Sequence, residues 1–262
     1  MIIQNFFFIL GRRVISLMYF LGGLTDLTLK TFYFIFIPPF KSERLFTQAK
    51  KAGYESLPIV SLISFFIGVI LALQTAYQMQ RLGSEMYIAS IVALSLVREL
   101  GPVVTALIVA GRVGAAITAE IGSMQVTEQI DALQTLAVNP IKYLVVPRLI
   151  ALAVVLPILT LYADIIGIFG GYLICVYKLG ISSQMYLNIT FDALLFKDLF
   201  TGLVKTIFFG MIIALVACYK GFNVEGGAEG VGQATKEAVV STFILIIACD
   251  CLFTALFYFI FP

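Results

Sequence analysis

The chain contains no histidine. That absence removes His-based acid and base chemistry, Ser-His-Asp triads and most zinc sites together, so neither a catalytic constellation nor a metal site is read from the sequence. Charge is scarce as well: 12% of the 262 residues are Asp, Glu, Lys or Arg, about half the usual soluble share. The 17 Lys and Arg form no long stripe and the net charge is +2, which argues against a nucleic-acid partner. Cysteine is limited to Cys175, Cys218, Cys249 and Cys251, all inside apolar runs. The last two are spaced C-x-C rather than C-x-x-C, so all four read as small buried hydrophobes. No G-x-x-x-x-G-K-[ST] loop occurs. The nearest glycine cluster, Gly226, Gly227, Gly230 and Gly232, lacks the lysine and reads as a flexible cytoplasmic turn. Any ATP-driven work must therefore be powered by another polypeptide, and no cofactor is assigned to this chain.

What is present in abundance is apolar surface. Hydrophobic residues make up 61% of the chain and the mean hydropathy is +1.03, far more than one soluble core of this size buries. The sequence predicts an all-α integral membrane protein. Residues 1–37 read as interfacial helices, with Ile2, Phe6, Ile9, Leu10, Leu17 and Phe20 in the headgroup boundary and Arg12, Arg13, Asp26 and Lys30 in water. Pro38-Pro39 ends them, and a short polar, basic stretch, Lys41 to Lys51, follows. The arginines come after Phe6 to Leu10 and no small-residue cleavage site follows, so this region is not read as a signal peptide. Spans are expected at residues 57–77, 86–111, 149–177, 199–219 and 239–261, each long enough for a hydrocarbon core. Twelve of the 17 Lys and Arg precede span one or fall between spans two and three or four and five. The positive-inside rule then makes the amino terminus cytoplasmic and the carboxy terminus external. The domain reading is an interfacial region, 1–50, followed by one transmembrane domain, 51–262.

The segment Gly111 to Pro140 is the longest expected outside a span, yet it looks helical. Gly111, Gly114, Ala115, Ala116 and Ala119 permit close approach of another helix. Val126, Ile130, Leu133 and Ala137 recur at helical spacing, with Glu128, Gln129, Asp131 and Gln134 elsewhere on the cylinder and Asn139-Pro140 as the stop. Such a helix either docks into a groove on a soluble partner or lies on the membrane surface. Its acidic and amide polar face favours docking, because surface helices prefer Lys and Arg there.

The run VRELGPVVTALIVAGRVGAAITAEIGSMQVTEQIDALQTLAVNPIKYLVVPR, Val97 to Arg148, resembles the signature of the MlaE (YrbE) family of ABC-transporter permeases. The resemblance extends through FxxGVILALQ (Phe65 to Gln74), GIFGG in span three and LFTAL near the end, while the first 50 residues are only generically similar. It implies a permease subunit acting as a homodimer with two cytoplasmic ATPase subunits that bind ATP and Mg. It also implies an MCE-domain protein outside the membrane and phospholipid as cargo between inner and outer membranes. Residues 111–140 then correspond to the family's coupling helix, with Glu120, Glu128, Gln129 and Asp131 as the candidates for contact with the ATPase. The implied location is the bacterial inner membrane, or the inner envelope membrane of a plastid.

Five ionisable groups fall within the expected spans: Arg98, Glu99, Asp164, Lys205 and Asp250. Each is costly there and so marks either a substrate path or a pair that holds helices together. At 1.5 Å per residue Arg98 lies about 18 Å, Lys205 about 9 Å and Asp250 about 17 Å below the outer ends of their spans, and Asp164 about 22 Å above the inner end of its own. Overlapping depth predicts pairing, and Lys205 and Asp250 are expected to face one interior space. Arg98 and Glu99 point about 100° apart on a helix, so each needs a partner elsewhere. Gly101 and Pro102 follow as a candidate hinge, because proline removes a backbone donor and irregular backbone at this depth lines a cavity or is buried. By the resemblance, Arg98 and Glu99 belong to the RELGP motif, and positions aligned with Lys205 and Asp250 are commonly charged. Apolar walls with a few basic groups suit a lipid. The alternatives are a scaffold, for which buried charge is unnecessary, and a lipid-modifying enzyme, for which no nucleophile with a base is present. An ion-coupled transporter built from two repeats finds no internal repeat here.

Overall fold

Within a bilayer only a helix closes all its backbone hydrogen bonds inside one segment, and long runs of Leu, Ile, Val and Phe accordingly become helices. The computed structural model describes residues 2–37 and 42–260. Among them every regular element is helical. The side chains expected as anchors at Ile2, Phe6, Ile9, Leu10 and Leu17, those of Arg12 and Arg13, and the stop at Pro38-Pro39 lie outside what is described.

The first element, α1 (Ile2–Ile35), is one continuous helix rather than several, since Gly11, Gly22 and Gly23 are tolerated where no proline intervenes. Its second half buries Leu27 and Thr31 and sets Phe20 edge-on to Tyr219. The basic stretch expected as a connector is itself helical, α2 (Ser42–Ala52), with Glu43 in its first turn and Lys50 and Lys51 in its last, the arrangement a helix dipole favours. A single 3₁₀ turn joins it to α3 (Leu57–Arg81). Among the described residues five helical stretches are long and apolar enough to cross a membrane: Glu43–Arg81, Glu85–Val126, Ile141–Tyr177, Phe196–Phe222 and Gly227–Phe259. Each holds one expected span, the fifth as far as Phe259.

The second stretch departs from regular α geometry twice. It is built of α4 (Ile88–Ser95), a π turn at Leu96–Leu100, α5 (Gly101–Val109), a π turn at Ala110–Gly114 and α6 (Ala115–Val126). The helix thus runs through Gly111, where the sequence reading began a separate segment, because nothing between Gly111 and Val126 stops it. The single amphipathic helix expected over residues 111–140 is also corrected. The chain breaks at Glu128, whose φ of 59° is left-handed, before a short α7 (Gln129–Thr135), and Ala137 follows at φ 56°. Val126 and Ala137 therefore do not share a face with Ile130, which α7 buries. Asn139 does not stop a helix but starts one, its Oδ1 accepting from the N–H of Ile141 at 2.9 Å. A third π turn, Ile141–Val145, leads into α8 (Val146–Tyr177).

After α8 the chain forms α9 (Ser183–Ala193), whose first turn is capped by Ser182, then α10 (Phe196–Phe222) and α11 (Gly227–Ile260). The glycine cluster is only in part a turn: Gly226 and Gly227 take φ of 85° and 71°, while Gly230 and Gly232 are inside α11. Helix α8 is central, between α3 and α10, and its most apolar 18 residues are 56% buried against 11% for those of α11. Backbones of α3 and α8 nearly touch, since a Cβ on Gly68 or Gly170 would meet a carbonyl of the facing helix. Two ends of the bundle are distinguished by what lies there: α9 at one, α7 at the other.

Candidate functional site

Four of the five intramembrane charges converge where α4 gives way to α5, beside α10 and α11. Lys205 on α10 is 2% exposed. Its ammonium donates to Glu99 Oε2 at 2.8 Å, to Thr254 Oγ1 at 2.7 Å and to the Arg98 carbonyl at 3.3 Å, and stands 3.0 Å from Asp250 Oδ1. Thr254 passes its own hydroxyl hydrogen to Glu99 Oε1 at 3.1 Å. Lys205 and Asp250 lie together in a larger cluster, one cation between two carboxylates.

The backbone explains why the Arg98 carbonyl is available. In an α-helix it accepts from the N–H four residues on, which is Pro102 and has none. The adjoining π turn, closed by the Gly101 N–H on the Leu96 carbonyl, widens the helix at the same place. Arg98 and Glu99 diverge as expected and find different partners. Arg98 Nε donates to Asp198 Oδ1 at 2.7 Å, and Asp198 is 4% exposed while Arg98 is half exposed. Asp198 also accepts from the N–H of Leu195 at 3.2 Å and so caps α10. The sequence reading missed Asp198 because it stands one residue before the expected span at 199–219. An acidic residue in the first turn of a helix was the available signal.

A recess of about 150 Å³ opens onto this cluster, lined by Arg98, Glu99, Lys197, Asp198, Thr201, Lys205, Thr254, Phe257 and Tyr258. It is smaller than the cavities of about 300–1,000 Å³ that enclose whole small molecules. A space of this size does not enclose acyl chains. Asp164 is not part of it: the side chain is buried on α8 against Gly101, and Oδ1 has no hydrogen-bond partner. Overlapping depth brought four groups together and left this one apart, because α8 presents Asp164 to the backbone of α5 instead of to a cation.

The coupling candidates divide. Glu128, Gln129 and Asp131 are exposed around the start of α7, with Gln129 donating to Thr127 Oγ1 at 3.0 Å. Glu120 lies in α6 and its carboxylate meets buried Arg148 at 3.0 Å. Arg112, in the second π turn, reaches Glu55 at 2.9 Å and Ser56 Oγ at 2.8 Å, tying that turn to the start of α3. Among the described residues no group of three Cys, Asp or Glu is placed to hold a metal.

Comparison with known proteins supplies the identity. Residues 45–256 match the family described as Permease MlaE. The chain is 47% identical over 249 residues to a "Probable ABC transporter permease protein" of Rickettsia bellii, covering 95% of this chain and 96% of that one. It is 36% identical over 215 residues to the "Intermembrane phospholipid transport system permease protein MlaE" of Haemophilus influenzae, 82% of each chain. It is 37% identical over 211 residues to "Protein TRIGALACTOSYLDIACYLGLYCEROL 1, chloroplastic" of Arabidopsis thaliana, covering 80% of this chain and 60% of that one. The five membrane-length helices, the RELGP turn and a match spanning most of the sequence lead to one conclusion: the chain belongs to the MlaE family of permeases.

Proposed function

We propose that this chain is the membrane subunit of an ABC transporter that moves phospholipid, and that the Lys205 cluster receives the headgroup phosphate or controls its entry. The observation that carries the reading is a buried ammonium ringed by Glu99, Asp250 and Thr254 at the wall of a headgroup-sized recess. An arriving phosphate competes with the carboxylates for Lys205, and Thr254 offers a hydroxyl that reorients without being displaced. Acyl chains find apolar surface along the scarcely covered α11. The phospholipid named for the Haemophilus relative agrees with this chemistry. ATP and Mg are bound by a separate cytoplasmic ATPase, which docks on the α7 end near Glu128, Gln129 and Asp131. The chain works as a homodimer in a bacterial inner membrane with its amino terminus cytoplasmic, and an MCE-domain protein meets it at the α9 end.

The test follows from the charge balance. Lys205→Met strands two carboxylates and should cost about 3–5 kcal/mol. Replacing Asp250 as well still leaves Glu99 without its cation, so the informative comparison is the triple variant Glu99→Gln, Lys205→Met, Asp250→Asn. It should regain most of the lost thermal stability and yet transport lipid poorly in reconstituted vesicles with the cognate ATPase. A stable triple variant with full transport would reduce the cluster to a helix tie.

A further inference from the structure

A second polar recess lies at the opposite, α7 end of the bundle, between α2, α6 and the start of α8, with a volume of about 280 Å³. Arg148 lines it although that side chain is 3% exposed. Its guanidinium is incompletely satisfied. One terminal nitrogen donates to the Leu144 carbonyl at 2.8 Å, the other meets Glu120 at 3.0 Å, and Nε has no hydrogen-bond partner. On the other wall Arg44 stacks on Tyr143, its guanidinium carbon 3.3 Å from the ring centroid, and among the described residues it has no carboxylate partner. Stacking leaves the edge of that guanidinium free to donate. Gln48 adds an amide at the rim.

Two arginines against one glutamate leave the recess one positive charge in excess, the complement of a phosphodiester. Planar guanidinium forks match phosphate oxygens, and the volume suits a headgroup. We propose that this recess is a binding site for a phosphate group, carried by an anionic phospholipid of the adjoining leaflet or free in solution. Its place on the amphipathic α2, beside Lys50 and Lys51, favours the lipid, because anionic leaflets attract such basic segments. The site is separate from the Lys205 cluster and its existence does not depend on what that cluster does.

The chain has no tryptophan, so Tyr143→Trp supplies a single indole that keeps an aromatic face for Arg44. The variant is placed in phosphatidylcholine nanodiscs holding phosphatidylglycerol or phosphatidylcholine brominated near the headgroup. Brominated phosphatidylglycerol should quench the indole at lower mole fraction than brominated phosphatidylcholine. Arg44→Gln should weaken that preference about fivefold, and Glu120→Gln, which frees a donor of Arg148 and removes the opposing charge, should strengthen it. Inorganic phosphate at matched ionic strength separates the sources: no effect assigns the lipid, and displacement of phosphatidylglycerol assigns free phosphate. Equal quenching by both lipids in every variant, with no response to phosphate, would overturn the proposal. Should the tryptophan variant fold poorly, phosphatidylglycerol retained through purification is counted by mass spectrometry for the Tyr143 chain and for Arg44→Gln. Equal retention would overturn it as well.

Discussion

Gly101 shows how a single missing side chain serves two neighbours. A Cβ there would collide with the Asp164 carboxylate and press on the Leu96 carbonyl that closes the π turn. Gly101→Ala should therefore destabilise the chain by about 1–3 kcal/mol, the usual cost of overfilling a packed interior. Truncating the obstacle makes the claim specific. Thermal unfolding in detergent should show that Gly101→Ala costs less in an Asp164→Ala background than in the parent chain, and equal losses in both would mean that the two residues do not oppose each other. The same scale shows what was legible. Arg98, Glu99, Lys205 and Asp250 stood out because charge in an apolar run is rare. Asp164 stood out for the same reason, but composition carries no information about which face of α8 it occupies. The Thr254 hydroxyl bridging Lys205 and Glu99 was invisible, since a threonine in a membrane helix is commonplace.

At the level of elements, run length was enough to find all five crossings, because hydrocarbon thickness dictates helix length directly. Periodicity failed at Gly111 to Pro140 for an identifiable reason. Val126, Ile130, Leu133 and Ala137 keep helical spacing through a break, and spacing alone does not reveal a residue at positive φ. Glu128 occupies that position, which glycine adopts at no steric cost. Glu128→Gly should thus leave the fold intact or slightly firmer while removing the carboxylate, and Glu128→Lys should reverse its charge. Both should lower lipid-stimulated ATP hydrolysis by the assembled complex without lowering thermal stability. Parental hydrolysis by Glu128→Lys would show that the ATPase does not read this side chain. The π turns were equally hidden: Gly101-Pro102 marked one as irregular, but Ala110–Gly114 and Ile141–Val145 carry no proline within the turn.

The whole molecule exposes much apolar surface, with Ile244, Ile247, Leu252, Leu256 and Phe259 open along α11 and Leu62, Phe66 and Ile70 along α3. In a bilayer lipid covers such faces, and the proposed homodimer would bury part of them against a second copy. The intact detergent-solubilised complex, weighed by native mass spectrometry, should contain two copies of this chain, and a single copy would refute the homodimer. Among the described residues three π turns punctuate the bundle, and each lies in or close to a tether: Arg98 to Asp198, Arg112 to Glu55, and, three residues after the last, Arg148 to Glu120. A π turn is a helix that has absorbed one surplus residue while the stretches on either side keep their phase. The surplus behaves like a dislocation in a crystal. Displaced along the axis by one residue, it turns the side chain it passes by about a sixth to a third of a revolution and leaves the rest of the helix where it was. A membrane helix built this way has local rotation available to it at Glu99 without the bundle having to come apart.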